Sequence, residues 1–319
     1  MTDGGPRDAV AGLPCCLAVD VGGTKIAAGL VSHTGELIAS DSIRTPRASD
    51  GDALFQVVAD LVAICAGEAS LRSCEIEVCG VGCGGPMSAG GESVSPLNIP
   101  AWRSFALRDR LAALPVLGAV PVFVDNDAKA LALGEGWVGS ARGLRSFLAM
   151  VVSTGVGGGI VLDGRMLEGS SGNAGHIGHV VVEPDGRRCG CGAKGCLEAE
   201  ASGTAIEEIT GHPASEAPRE VVERAGTLVG RAVASVANLL DLRLALVGGS
   251  VALGFGLPFF VAAQREIDER CRLAHSRGCR VEPVGLGAAG PLVGAGAVGW
   301  RGIRRLGETA PGDPEVLCP

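Results

Sequence analysis

The stretch from Asn173 to Glu198 constrains the fold more than any other. It holds two histidines in a glycine-rich run, Gly175-His176-Ile177-Gly178-His179. Ten residues after His179 comes Cys189-Gly190-Cys191-Gly192-Ala193-Lys194-Gly195-Cys196, followed by Glu198. One His and three Cys at this spacing can close a tetrahedral site around Zn²⁺; buried or disulfide-bonded cysteines are the competing reading. The Cys-x-Cys pair needs a backbone that doubles back, which Gly190, Gly192 and Gly195 allow. Three thiolates in a closed four-ligand set leave no position for water, so the expected role of the metal is structural. Such a site adds metal binding to the folding free energy, on the order of 10 kcal/mol in small zinc modules. It would lock the polar groups on either side, His176 and Glu198.

Composition narrows the setting. Hydrophobic residues make up 47% of the 319, while aromatics are 3% and Tyr is absent, so the core must be Val, Leu, Ala and Ile. A net charge of −8 argues against a nucleic-acid or anionic-membrane partner. The segment Met1 to Asp8 lacks the form of a signal peptide, and the sequence reads as having no apolar run long enough to span a bilayer. A cytoplasmic location is expected, in which the 12 cysteines are reduced thiols or metal ligands. Cys15, Cys16, Cys65, Cys74, Cys79 and Cys83 lie in apolar context and read as small core residues.

Three apolar strands end in glycine turns. Residues 16–20 run into Val21-Gly22-Gly23-Thr24-Lys25, and 147–152 run into Ser153-Thr154-Gly155-Val156-Gly157-Gly158-Gly159, each followed by a second strand. Such turns bring backbone N–H groups and a hydroxyl close to a phosphate, and Asp20 is placed to face Mg²⁺; an ordinary hairpin is the alternative. Two such turns about 130 residues apart suggest a duplicated fold. The strand 244–247 ends in Gly248-Gly249-Ser250. Strands are also expected at Leu37 to Arg44, 76–82, 120–124 and 280–284, and helices at Asp52 to Leu71, Leu107 to Leu114, Arg219 to Leu240, Phe259 to His275 and 290–305. Asn126-Asp127 stands where a strand passes into a helix, the sheet edge at which α/β folds place ligands. Asp127 is the candidate base for a hydroxyl proton, with helix capping as the alternative. Asn98, in an irregular loop after Gly84-Gly85-Pro86, can donate to and accept from a sugar hydroxyl, or simply form a turn.

Taken in order, these motifs resemble the ROK family of sugar kinases and repressors over about residues 15 to 305. The resemblance implies an α/β, actin-like (hexokinase/Hsp70-type) ATPase fold: two α/β domains around a central cleft, with a zinc-stabilised loop. It implies a small domain over 15–125 completed by the helix at 290–305 and a large domain over 126–289; the residues themselves read as a disordered 1–14 and, from low apolar content, a mobile tail at 306–319. ATP and Mg²⁺ would be held by Asp20, Gly22, Gly23, Thr24, Lys25, Thr154, Gly155, Gly157 and Gly158, with Gly248 and Gly249 against the nucleoside. Asn98, Asn126, Asp127, His176, His179 and Glu198 would line the sugar pocket, with Asp127 as catalytic base. His179, Cys189, Cys191 and Cys196 would bind structural Zn²⁺, His179 also meeting the sugar through its free ring nitrogen.

The implied activity is ATP-dependent phosphorylation of the 6-hydroxyl of a hexose, glucokinase-like, or of an N-acylhexosamine; the implied partners are sugar and ATP, and the implied assembly is a homodimer. Two positions depart from the usual pattern. Gly84 stands where the family loop has Pro, and His176 stands where glucokinases have Glu. Bacterial N-acetylmannosamine kinases resemble this chain at the second position, with an Ala-Gly-His-Ile-Gly-His run. Family repressors carry a helix-turn-helix domain ahead of the first phosphate strand; about 14 residues precede it here, so a non-catalytic regulator is the remote alternative.

Overall fold

The computed structural model describes residues 12–46 and 50–307. Apolar runs that are buried on both faces become the central strands of two sheets. In chain order the strands and helices are β1 (Leu13–Val21), β2 (Lys25–Ser32), β3 (Leu37–Arg44), α1 (Gly51–Leu71), β4 (Cys74–Cys83), α2 (Leu107–Ala112), β5 (Val122–Asn126) and α3 (Asp127–Trp137). There follow β6 (Phe147–Val152), β7 (Val156–Leu162), β8 (Arg165–Met166), α4 (Leu197–Ala201), α5 (Gly203–Thr210) and α6 (Arg219–Leu240). The last are β9 (Leu244–Gly248), α7 (Ser250–Phe255), α8 (Leu257–Arg270), β10 (Arg280–Pro283) and α9 (Gly290–Gly307).

The two sheets repeat one plan. The first runs β3-β2-β1-β4-β5 and the second, read from its other edge, β8-β7-β6-β9-β10. In each, two antiparallel pairings are followed by two parallel ones. Both phosphate-type turns therefore join the first hairpin of a sheet, and both point out of the strand end that carries ligands in open α/β sheets.

Two helices tie the sheets together. α3 leads out of the first sheet at β5 and packs on β6 and β7; α9 returns to lie across β1, β2, β4 and β5 and against α3. Glycine permits that approach. A Cβ on Gly294 would lie 2.4 Å from the Ala130 carbonyl, and one on Gly80 would lie 2.0 Å from that of Ala295. The run of small residues in α9 is thus a packing surface.

Some expectations are corrected. Leu13 and Pro14 belong to β1, so the disorder expected over 1–14 does not hold at its end; residues 1–11 lie outside the described residues. Leu306 and Gly307 continue α9, and the rest of the expected tail, 308–319, lies outside them too. The helix expected through His275 stops at Arg270, because Cys271 leaves helical geometry and residues 271–279 loop back to set β10 beside β9. Among the described residues one helix, α1, has a length and composition able to cross a membrane. Its Leu54, Val58, Leu61 and Val62 are buried in the apolar core with strands of the first sheet, which marks it as a core helix. The 11 described cysteines are all free thiols; of the six expected in the core, Cys74 alone is only partly buried.

Candidate active site

The site is built from the β5–α3 junction outward. Asn126 caps α3: its side-chain oxygen accepts from the N–H groups of Ala128 at 3.0 Å and Lys129 at 3.4 Å. The capping role therefore falls chiefly to Asn126, and Asp127 becomes the first helical residue, accepting from the Ala128 N–H at 2.8 Å. Burial raises the Asp127 pKa, that N–H partly offsets it, and the Glu198 charge raises it further. Asp20, at the end of β1, lies on the other side of Gly82: a Cβ there would stand 3.6 Å from both the Asp20 Oδ1 and the Asp127 Cα. Burial first, and the Asp127 charge second, push the Asp20 carboxyl up to about 7, while Lys25 pulls it down. The Asp127 charge acting on the Asp20 carboxyl makes this region a candidate site for a proton or a cation.

Three of the residues expected to line a sugar pocket, Asn98, Asn126 and His176, meet at the loop after β4. Asn98 fills the space between two glycine segments, since a Cβ on Gly23 would lie 2.8 Å from its Nδ2 and one on Gly84 3.4 Å from its Oδ1. A Cβ on Gly85 would lie 3.3 Å from both the Asn126 Nδ2 and the His176 Cε1. Asn98, Asn126 and His176 thus come to one loop, with Asp127 next in the chain to Asn126. Burial first, then the neighbouring His179, holds the His176 pKa below its ordinary value, which favours a neutral ring with one donor and one acceptor.

The glycine turns meet one another. Thr24 Oγ1 and Thr154 Oγ1 are 2.9 Å apart, one from each sheet. Gly22 N–H donates to the Lys25 carbonyl at 3.0 Å to close the first turn, and the Thr45 hydroxyl donates to the Gly22 carbonyl at 2.7 Å. In the second, the Glu198 Oε2 accepts from the Val156 N–H at 2.9 Å and would stand 2.8 Å from a Cβ on Gly155. Gly157 and Gly158 run on into β7, against Ala128 and Ile177. Gly249, at φ +95°, lies against the Val152 carbonyl, and Ser250 reaches Ser153 at 2.9 Å between hydroxyls, so Gly248 and Gly249 border the second turn.

The cysteine stretch folds into a four-ligand cluster. The ligand atoms of His179, Cys189, Cys191 and Cys196 all lie within 4.8 Å of one another. Cys191 and Cys196 sulfurs are 3.8 Å apart, and Cys189 Sγ lies 3.7 Å from His179 Nδ1. A tetrahedron with metal–sulfur bonds of about 2.3 Å has edges of about 3.8 Å, so the donor set fits Zn²⁺. Nδ1 faces the cluster, leaving Nε2 as the outward nitrogen of His179. Cys196 is also the N-cap residue of α4, and Glu198 sits in that helix's first turn.

A model of the ROK family matches residues 16–299.

The chain belongs to the ROK family.

The N-acetylmannosamine kinase of Pasteurella multocida (strain Pm70) is 34% identical over 295 residues, covering 88% of this chain and 94% of that one. Among solved structures, the ROK hexokinase from Thermus thermophilus aligns with a TM-score of 0.76 at 31% identity, over 91% of this chain and 99% of that one. A ROK family glucokinase from Streptomyces griseus, in complex with glucose and AMPPNP, aligns with a TM-score of 0.78 at 27% identity, over 90% and 99%. The protein is a sugar kinase with the actin-like α/β fold of the ROK proteins.

Two features of this ROK site escape sequence reading. Lys129, fully buried, donates to the Gly172 carbonyl at 2.7 Å and pairs with Glu168, which Arg301 of α9 also meets at 2.8 Å. Burial alone would raise the Glu168 carboxyl; the two cations hold it below its ordinary range. Arg231 of α6 donates to the Val182 carbonyl at 2.8 Å and pairs with Glu183 and Glu266, strapping the cysteine loop to α6 and α8. Partners so far apart in sequence leave no periodic or spacing signal.

Proposed function

We propose that the protein is an ATP- and Mg²⁺-dependent kinase that phosphorylates the 6-hydroxyl of an N-acylhexosamine, with N-acetylmannosamine as its preferred sugar. The observation that carries the reading is the placement of the His176 ring at Gly85, where Asn126, the neighbour of Asp127, also arrives. A carboxylate at that position would only accept hydrogen bonds from sugar hydroxyls; an imidazole also donates, which suits an acyl carbonyl. The Pasteurella relative, named for N-acetylmannosamine, supports the same choice. Glucose is the second reading, favoured by the Streptomyces neighbour that holds it.

In the proposed step, Asn98, Asn126, His176 and Glu198 orient the sugar so that its 6-hydroxyl meets the Asp127 carboxylate. That oxygen bonds to the γ-phosphorus, its proton passes to Asp127, and the bond to the β–γ bridging oxygen breaks to release ADP. Asp127 contributes about 10²–10⁴-fold as base. Phosphoryl transfer otherwise rests on position and electrostatics, supplied by the N–H groups and hydroxyls of the Gly22–Thr24 and Thr154–Gly158 turns. Asp20 would hold Mg²⁺, directly or through water; the ion neutralises charge on the phosphates, and a cation there relieves the repulsion between Asp20 and Asp127. His179, Cys189, Cys191 and Cys196 would hold Zn²⁺, which fixes the backbone that presents His176 and Glu198. Residues 15–125 with 290–305, and 126–289, would act as two lobes whose closure excludes water that would otherwise hydrolyse ATP.

The test is ADP release, by coupled assay, with glucose, mannose, N-acetylglucosamine and N-acetylmannosamine. N-acetylmannosamine should give the highest kcat/KM, and His176→Glu should move the preference toward glucose. Glucose ranking first in the native enzyme, or a ranking indifferent to His176→Glu, would refute the N-acyl assignment.

A further inference from the structure

We infer that Asn173 is a positioning residue: its side-chain amide clasps the loop after β4 to the loop that carries His176, and so sets how tightly the pocket holds its sugar. The inference rests on the site proposed above.

Met87 pairs with Val94, and Val94 with Phe105, in a small antiparallel strip beyond β4. The bonds of the first pairing are made by its flanking residues, Ser88 N–H to the Ser93 carbonyl and Ser95 N–H to the Pro86 carbonyl. The N–H and C=O of Met87 itself therefore face outward, as at a sheet edge. Asn173 meets both: its Oδ1 accepts from the Met87 N–H at 3.1 Å and its Nδ2 donates to the Met87 carbonyl at 2.9 Å. A carboxamide carries the same donor–acceptor pair as a peptide unit, so one side chain stands in for a neighbouring strand.

The clasp joins opposite sides of the site. Met87 follows the Gly84-Gly85-Pro86 loop of the first sheet; Asn173 follows β8 of the second and precedes His176 by three residues. Its own segment is held from behind by Lys129 on the Gly172 carbonyl. Gly175, at φ +100° and with room for no side chain against the Gly158 carbonyl, fixes the path onward. His176 is thus suspended between the cysteine cluster on one side and Asn173 on the other. Another side-chain hydrogen bond between loops of the two sheets, Thr24 with Thr154, joins the two glycine turns. The hydrogen bonds of the Asn173 side chain go to Met87 and Ser171, and none of them reaches a glycine turn, so the clasp should affect the sugar and not the nucleotide.

The test is steady-state kinetics of the full-length Asn173→Ala and Asn173→Asp proteins with N-acetylmannosamine and with glucose as probes, alongside zinc content. In the isosteric Asn173→Asp variant an oxygen replaces the donor opposite the Met87 carbonyl. Both variants should raise the sugar KM about tenfold or more, Asn173→Asp being no weaker in effect than the truncation. The KM for ATP, kcat at saturating sugar and zinc content should stay within about threefold of the native protein, the pattern of lost ground-state binding. A sugar KM within twofold of native in both variants overturns the inference. So does loss of zinc or of folding in both, which would make Asn173 a purely structural residue. Asp127→Asn in the same series separates the two readings: if it keeps turnover, the proposed site falls; if it is inactive while the Asn173 variants behave as native, the clasp alone falls.

Discussion

The two phosphate-type turns occupy equivalent places in two sheets of the same strand order, yet they are braced differently. The Gly22–Thr24 turn is closed by its own backbone and by Thr45, and its nearest carboxylate, Asp20, is poised near neutrality. The Thr154–Gly158 turn is held by Glu198, a residue that stands two positions from a cysteine of the metal-type cluster. Thr204 and Gly203 add bonds to the Thr154 and Ser153 carbonyls at 3.0 and 2.7 Å. The two halves share the turn, and in the second half Glu198 ties it to the cysteine loop. The first turn is braced by its own backbone and Thr45, and the second by the cysteine loop through Glu198.

The largest expected effect follows from cutting that coupling. Cys196→Ser should remove the bound zinc, lower the melting temperature and reduce kcat/KM for the sugar on the order of 100-fold, read by metal analysis, calorimetry and kinetics. Native activity without zinc would place the brace elsewhere. Next, Glu198→Gln should raise the KM for both sugar and ATP about tenfold, whereas Thr45→Val should raise only that for ATP, by a few-fold. Equal effects of the two substitutions on the sugar would erase the distinction between the turns.

The smallest effect is on stability. Because the folded Asp20 pKa, about 7, lies above its ordinary 3.8, the neutral form is the one that favours folding. The stability tied to it is complete below about pH 4 and lost as the pH rises through 7. Asp20→Asn should therefore match the native protein at pH 4 and exceed it by about 1–3 kcal/mol at pH 8, in chemical denaturation without Mg²⁺. A gain that is the same at both pH values would mean that burial of the charge is not its cause.

Much of this site was readable before the fold. The cysteine spacing carried its own geometry, because only a doubled-back loop brings Cys189, Cys191 and Cys196 to one point, and all four ligand atoms converge as read. Asn126-Asp127 was readable because a strand ending and a helix beginning leave their side chains at a sheet edge. What escaped was contact across the chain. Asn173 was seen only as the start of the histidine run, and nothing in its neighbours points to Met87, 86 residues away. Lys129 and Glu168 lie 39 residues apart in sequence, and only the fold pairs the buried Lys129 with the half-buried Glu168 and brings Arg301 of α9 onto Glu168. Residues 271–275 suit a helix locally, while the return of β10 to β9 demands a loop there.

The central claim is that Asp127 takes the proton of the sugar's 6-hydroxyl in a pocket fixed by the cysteine cluster. The most direct measurement is kcat for Asp127→Asn, with N-acetylmannosamine and glucose, on protein whose zinc content and melting curve have been recorded. The account predicts a folded, zinc-loaded protein with at least about 10²-fold lower kcat on whichever sugar the native enzyme phosphorylates. Turnover equal to the native enzyme in that protein would contradict it.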